Sequence, residues 1–185
     1  MSNATLNPPV GPQDHVQGAP HAPVTLVEYG DFECGHCGRA HPVVQELQRQ
    51  LGDTLRFVYR SFPLNQAHPH AEHAAEAAES VAAHGGEDAF WEMHDLLFEN
   101  QEALEDEDLL AYAASTGVDE QAVASDLASG AMATRVHQDF RSGVRSGVNG
   151  TPTFFVNGRR YDGDWTDVEA FAADLHALAR ATAAR

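Results

Sequence analysis

The alternation of apolar and polar residues changes rhythm several times along the chain. Val24, Leu26, Val27 and Tyr29 form a short, β-branched apolar run, which predicts a buried strand. Gly30-Asp31-Phe32-Glu33 then turns the chain. From about Gly35 to Leu51 the residues Val43, Val44, Leu47 and Leu51 return on one helical face, and Gly52-Asp53 ends the helix. Pro42, inside this helix, removes one backbone donor and predicts a kink. Leu55-Arg56-Phe57-Val58-Tyr59-Arg60 alternates at several positions and predicts a second strand. Strand, helix and strand make a βαβ unit, for which parallel strands and a right-handed crossover are expected.

From about Pro69 to Val144 the pattern is helical throughout. Glycine stops and aspartate starts divide it into helices over Pro69–His84, Asp88–Asn100, Asp106–Thr116, Asp119–Ser129 and Met132–Ser146. The strand rhythm then returns in Thr153-Phe154-Phe155-Val156. The Asn157-Gly158 pair before Arg159-Arg160-Tyr161 predicts a tight type I′ hairpin. Thr166 and Glu169 have capping-box spacing, and Val168, Phe171, Ala172, Leu175 and Leu178 are the predicted inner face of a last helix. Residues 1–22, rich in Pro, Gly, Asn and Gln, read as an extended lead-in.

This order predicts an α/β chain with a thioredoxin-like fold: a central mixed sheet flanked by helices, with an inserted all-helical domain. The expected boundaries are 1–22 for the lead-in, 23–66 and 147–185 for the discontinuous core, and 67–146 for the insertion.

Composition narrows the function classes. The 185 residues carry 28 acidic and 11 basic groups, a formal net charge of −17, and every basic residue is Arg. Nucleic acid and anionic membrane surfaces are unsuitable partners for such a charge. No stretch approaches the ~20 apolar residues of a membrane span. The first residues have neither a basic nor an apolar leader pattern, so the expected location is cytoplasmic.

Cys34 and Cys37 are the only cysteines, and they fall where the first strand gives way to the first helix. One pair cannot supply a secreted-type disulfide framework. At a helix start, unpaired backbone N–H groups and the positive dipole end favour a thiolate, so Cys34 is the candidate attacking sulfur. Cys37, one turn on, is the candidate resolving thiol, and His36 between them adds positive charge when protonated. Asp31 and Glu33 oppose the thiolate, and Arg39 is a candidate to offset them. The competing chemistry is half of a zinc site, but no second C-x-x-C is present. No metal and no cofactor are expected.

The stretch Val27-Glu28-Tyr29-Gly30-Asp31-Phe32-Glu33-Cys34-Gly35-His36-Cys37, the helical block, and Gly150-Thr151-Pro152-Thr153-Phe154-Phe155-Val156-Asn157-Gly158 resemble the DsbA-like thiol-disulfide oxidoreductases of the thioredoxin superfamily. The resemblance runs from about Val24 to the C-terminus. It implies a cis Thr151-Pro152 bond beside the cysteines, where the Thr151 backbone would pair with an extended polypeptide. It also implies a buried acidic residue at Glu28 that exchanges a proton with Cys37. The strand reading leaves a second orientation for Glu28, with its carboxylate in solvent. Pro42 stands where thioredoxins carry a helix-kinking proline. The Gly-His dipeptide is that of protein disulfide isomerase and departs from the Pro-His of the best-known DsbA, which implies an intermediate redox poise.

The expected function is thiol-disulfide exchange with protein or peptide thiols and disulfides, together with an unidentified redox partner. The alternative on the same fold is a non-catalytic redox-sensing or metal-responsive binding module. His68, His70 and His73 carry the metal side of that alternative, although such a cluster is more often a solvated helix face. Phe90, Trp91, Met93, Leu96 and Leu97 read as core rather than as a substrate groove.

Overall fold

The computed structural model describes residues 4–183. In chain order the elements are β1 (His15–Gly18), β2 (Val24–Gly30), α1 (Gly35–Leu51), β3 (Leu55–Ser61), α2 (Ala71–Glu99), α3 (Asp106–Ser115), α4 (Glu120–Ser129), α5 (Ala133–Arg145), β4 (Thr153–Val156), β5 (Arg159–Arg160) and α6 (Val168–Ala183). The strands form one mixed five-stranded sheet in the order β1-β3-β2-β4-β5. The described residues divide into two compact units, one of residues 4–29, 39–60 and 142–183, the other of residues 30–38 and 61–141.

The first unit is built on the sheet. β2 and β3 are neighbours, while β4 runs antiparallel to β2 with Glu28 opposite Phe154 and Val27 opposite Phe155. The Asn157-Gly158 turn joins β4 to β5 with φ of 48° and 79°, the two positive angles that a type I′ hairpin requires. Leu26, Leu47, Leu55, Phe57, Phe155, Phe171 and Leu175 are fully buried, each large side chain contributing about 1.5–3 kcal/mol of transfer free energy.

Three details of this unit differ from the sequence pattern. The lead-in contributes a strand, β1, which pairs antiparallel with β3 from His15 opposite Tyr59 to Gly18 opposite Arg56. The N-cap of α6 is Asp167, whose Oδ1 accepts from Ala170 N at 3.1 Å; the Thr166 hydroxyl instead donates to Asp164 at 2.6 Å. Leu178 is 40% exposed, because the last turns of α6 run past the buried stripe ending at Leu175.

A buried ion pair ties the lead-in to the sheet. Arg60 donates from Nε and Nη2 to Asp14 at 2.7 and 2.9 Å, and from Nη1 to Tyr29 Oη and Pro8 O. Its burial disfavours the charge, but the hydrogen bond and charge of Asp14 and the contact with Tyr29 outweigh that and raise the guanidinium further.

The second unit is helical, with α2 packed on α3 and α4 and α3 on α4. The stop expected at Gly85-Gly86 is a kink within α2. Gly86 has φ of 84°, and a Cβ on Gly85 would meet Val118 and Ala89. Phe90, Trp91, Met93 and Leu97 are buried, so this stripe is core. Glu79 and Asp139 are buried as well, and Arg135 pairs with both. Burial raises the Asp139 carboxyl to about 6 against the opposing attraction of Arg135.

Candidate active site

Cys34 immediately precedes α1, and Cys37 lies in its first turn. Cys34 is 6% exposed and Cys37 is fully buried. Cys34 N donates to Asp31 O at 3.1 Å, closing the turn, and Cys34 O accepts from Gly38 N at 3.0 Å as the first helical bond. His36 is exposed on the same turn. A sulfur ahead of the first N–H groups of a 17-residue helix sits where the backbone stabilises negative charge.

A residue far along the chain holds this turn in place. Gln101, just past α2, donates from Nε2 to Phe32 O at 2.7 Å and to Cys34 O at 2.9 Å. Its amide lies against α1 over Gly38, where an added Cβ would displace it. Phe32, 1% exposed, packs on Phe98 with ring centroids 4.9 Å apart and anchors the turn from its apolar side.

Asp31 is the polar centre of the loop. It is 2% exposed; its Oδ1 accepts from Glu33 N at 2.9 Å, and its Oδ2 accepts from Leu64 N at 2.8 Å and from His68 Nδ1 at 2.7 Å. Glu33 turns to the head of α2, its Oε2 accepting from His70 N at 2.7 Å. For His68, burial disfavours the imidazolium. The hydrogen bond to Asp31 and the negative charges of Asp31, the Cys34 thiolate and Glu33 outweigh this and hold it above the ordinary histidine value.

Both acidic residues ahead of Cys34 therefore meet compensating groups, and neither compensation was visible in the sequence. The expected counter-ion, Arg39, is an exposed residue of α1; the partner of Asp31 is His68. The three histidines grouped as a metal cluster separate onto three carboxylates: His68 on Asp31, His73 on Asp106 at 2.7 Å, and His70 on Glu105 at 3.6 Å. Among the described residues they do not bring three ligand atoms within reach of one ion. Gln101 has no local motif, and its only sequence signal is its place directly after a helix end.

The other site candidates lie in the sheet unit. Glu28 is 2% exposed in β2, which removes the solvent-facing orientation. Thr151-Pro152 is a cis peptide, half-buried and leading directly into β4, with Gly150 O accepting from the Thr153 hydroxyl at 2.7 Å.

A family model described as thioredoxin matches residues 11–173. Among curated relatives, the Na(+)/H(+) antiporter NhaA 3 of Salinispora tropica is 48% identical over 174 residues, covering 94% of this chain and 26% of that protein. The Na(+)/H(+) antiporter NhaA of Herminiimonas arsenicoxydans is 44% identical over 178 residues, covering 96% and 28%. The chain thus spans about a quarter of the length of these relatives. No described helix is long and apolar enough to cross a membrane. Among solved structures, oxidised BdbD of Bacillus subtilis superposes with a TM-score of 0.85 at 24% identity, covering 97% of this chain and 100% of that one. A thioredoxin-like oxidoreductase from Silicibacter pomeroyi superposes with a TM-score of 0.74 at 27% identity, covering 90% and 94%.

Proposed function

The chain belongs to the thioredoxin family, and from that premise we propose that it is a DsbA-like thiol-disulfide oxidoreductase acting on protein or peptide thiols. The observation that carries the reading is the placement of Cys34 and Cys37: one sulfur just ahead of α1 with slight exposure, the other fully buried in its first turn.

In the reducing direction the Cys34 thiolate attacks one sulfur of a substrate disulfide. The substrate S–S bond breaks, a mixed disulfide forms, and the first substrate sulfur leaves as a thiolate that takes up a proton. Cys37, having lost its proton, attacks Cys34 Sγ, closes the Cys34–Cys37 disulfide and releases the second substrate thiolate. Two electrons pass to the substrate, and a dithiol partner restores the enzyme. In the oxidising direction every step reverses, and a disulfide partner restores it.

His36, when protonated, adds positive charge at the helix start. Glu28, buried in β2, serves as proton acceptor and donor for the exchange, and the backbone of Thr151 ahead of Pro152 pairs with an extended substrate. Ion exchange is a property named for relatives four times as long; the reading for this chain rests on the thiol pair. Turnover in insulin reduction or in refolding of a scrambled disulfide substrate tests it, with complete loss expected in Cys34→Ser. Absence of both activities in the wild-type protein would contradict it.

A further inference from the structure

Two carboxylates within the three residues before Cys34 are an unfavourable setting for a thiolate, and the structure disposes of each differently. Glu33 is spent on the N-terminus of α2, where the backbone N–H of His70 and the positive end of the helix dipole receive it. Asp31 is spent on His68, with Leu64 N and Glu33 N completing its hydrogen bonds.

We propose that His68, fixed by Asp31, is a positioning residue of the exchange reaction: an ionisable counter-charge that cancels Asp31 and favours the thiolate of Cys34. This rests on the exchange chemistry proposed above and adds a second histidine to His36. Three observations support it. Asp31 is 2% exposed, so its charge is screened little by solvent and weighs on the loop that carries the sulfur. Asp31 is bound to that loop at both ends, since its carbonyl accepts from Cys34 N and its carboxylate accepts from Glu33 N. The His68 ring is part-exposed at 23%, so it can exchange its proton with water while Nδ1 stays on Asp31.

The titratable groups that bear on the His68 ring are Asp31, Cys34 and Glu33. Only Cys34 changes charge with redox state: it is a thiolate in the reduced enzyme and neutral sulfur in the disulfide. By linkage, what His68 does to Cys34, Cys34 does to His68. The reduced enzyme therefore holds a proton on His68 to a higher pH than the oxidised enzyme does. Near neutral pH a fraction of a proton is taken up at His68 on reduction, and the Cys34/Cys37 couple acquires a pH dependence that His36 alone would not give.

Two titrations test this on the intact protein. In the first, the His68 ring is followed by NMR against pH in the reduced and oxidised forms; a higher midpoint in the reduced form supports the proposal, and equal midpoints overturn it. In the second, ultraviolet thiolate absorbance is followed in wild type, His68→Gln and His68→Lys. His68→Gln should raise the Cys34 midpoint by about one pH unit, a roughly tenfold lower thiolate-to-thiol ratio at fixed pH. His68→Lys should restore the low midpoint, because it keeps the charge without the imidazole. A purely structural role would make the two variants alike, and that result would overturn the proposal. Absence of exchange activity would sink the functional reading, while these titrations would still decide the role of His68.

Discussion

The side-chain amide of Gln101 donates to the backbone carbonyl of Cys34 across 67 residues of sequence, at 2.9 Å. The same nitrogen holds Phe32 O, so one side chain fixes the carbonyls on either side of Glu33 and with them the entry of Cys34 into α1. Gln101→Ala removes one donor from each carbonyl, Cys34 O keeping its bond from Gly38 N, and is expected to cost about 1–3 kcal/mol. The same change should slow exchange by loosening the turn. Denaturant midpoints and insulin-reduction rates measured on one variant would check both, and unchanged values would refute the clamp.

Gly38→Ala tests the same clamp from the other side. Its methyl would stand where the Gln101 amide lies, so it should reproduce the loss of activity expected of Gln101→Ala. Combining the two should add little, because either one already separates the partners. Full additivity of the two activity losses would show that they act independently.

The Arg60–Asp14 pair is nearly enclosed, with side-chain exposures of 3% and 7%. Removing one partner strands the other charge, so Arg60→Met or Asp14→Asn alone should destabilise the protein by about 3–5 kcal/mol. Replacing both together should cost less than the sum. Urea unfolding of the two single variants and the double variant measures this, and a strictly additive double would show that the pair is not coupled.

Asp139 gives a pH signature. Its folded value of about 6 lies above that of an unfolded aspartate, so the folded state holds its proton more tightly. The associated stability is fully present below about pH 4 and is lost as pH rises through about 6. That difference corresponds to about 3 kcal/mol at most, reduced by its coupling to Arg135 and Glu79. Asp139→Asn should flatten the decline of stability between about pH 4 and 6 relative to wild type. An unchanged slope would place the titration elsewhere.

Glu28→Gln keeps the shape of a buried side chain in β2 and removes its proton chemistry. It should slow exchange by about tenfold or more and flatten the pH–rate profile, with little effect on folding. The profile of kcat/KM against pH is the measurement, and a profile superposable on wild type would rule out a proton role for Glu28.

What could be read from the sequence was local. The Cys34/Cys37 spacing at a strand-to-helix junction, the Asn157-Gly158 hairpin and the helical block each announce themselves within a few residues. The polar clamps could not be read, because their partners are remote: Asp31 meets Leu64 and His68 at separations of 33 and 37 residues, and Gln101 meets Cys34 at 67. His68 stood in the sequence beside His70 and His73 and looked like part of one cluster, but backbone direction at the head of α2 sends each ring to a different carboxylate. The cap of α6 failed for a local reason, competition: Asp164 takes the Thr166 hydroxyl, which leaves Asp167 to accept from the helix. The lead-in lacks periodicity because β1 is a short edge strand, held partly by the Arg60–Asp14 pair rather than by an apolar face.

The central claim is that Cys34 and Cys37 form a reversible two-electron dithiol–disulfide couple. Equilibrating the protein with glutathione buffers of graded potential and trapping its thiols tests it most directly. The account predicts a single two-electron transition between about −270 and −120 mV, the span from thioredoxin to a strongly oxidising enzyme, and its loss in Cys34→Ser. Thiols that stay unpaired across the whole range, or a transition that survives Cys34→Ser, would contradict it.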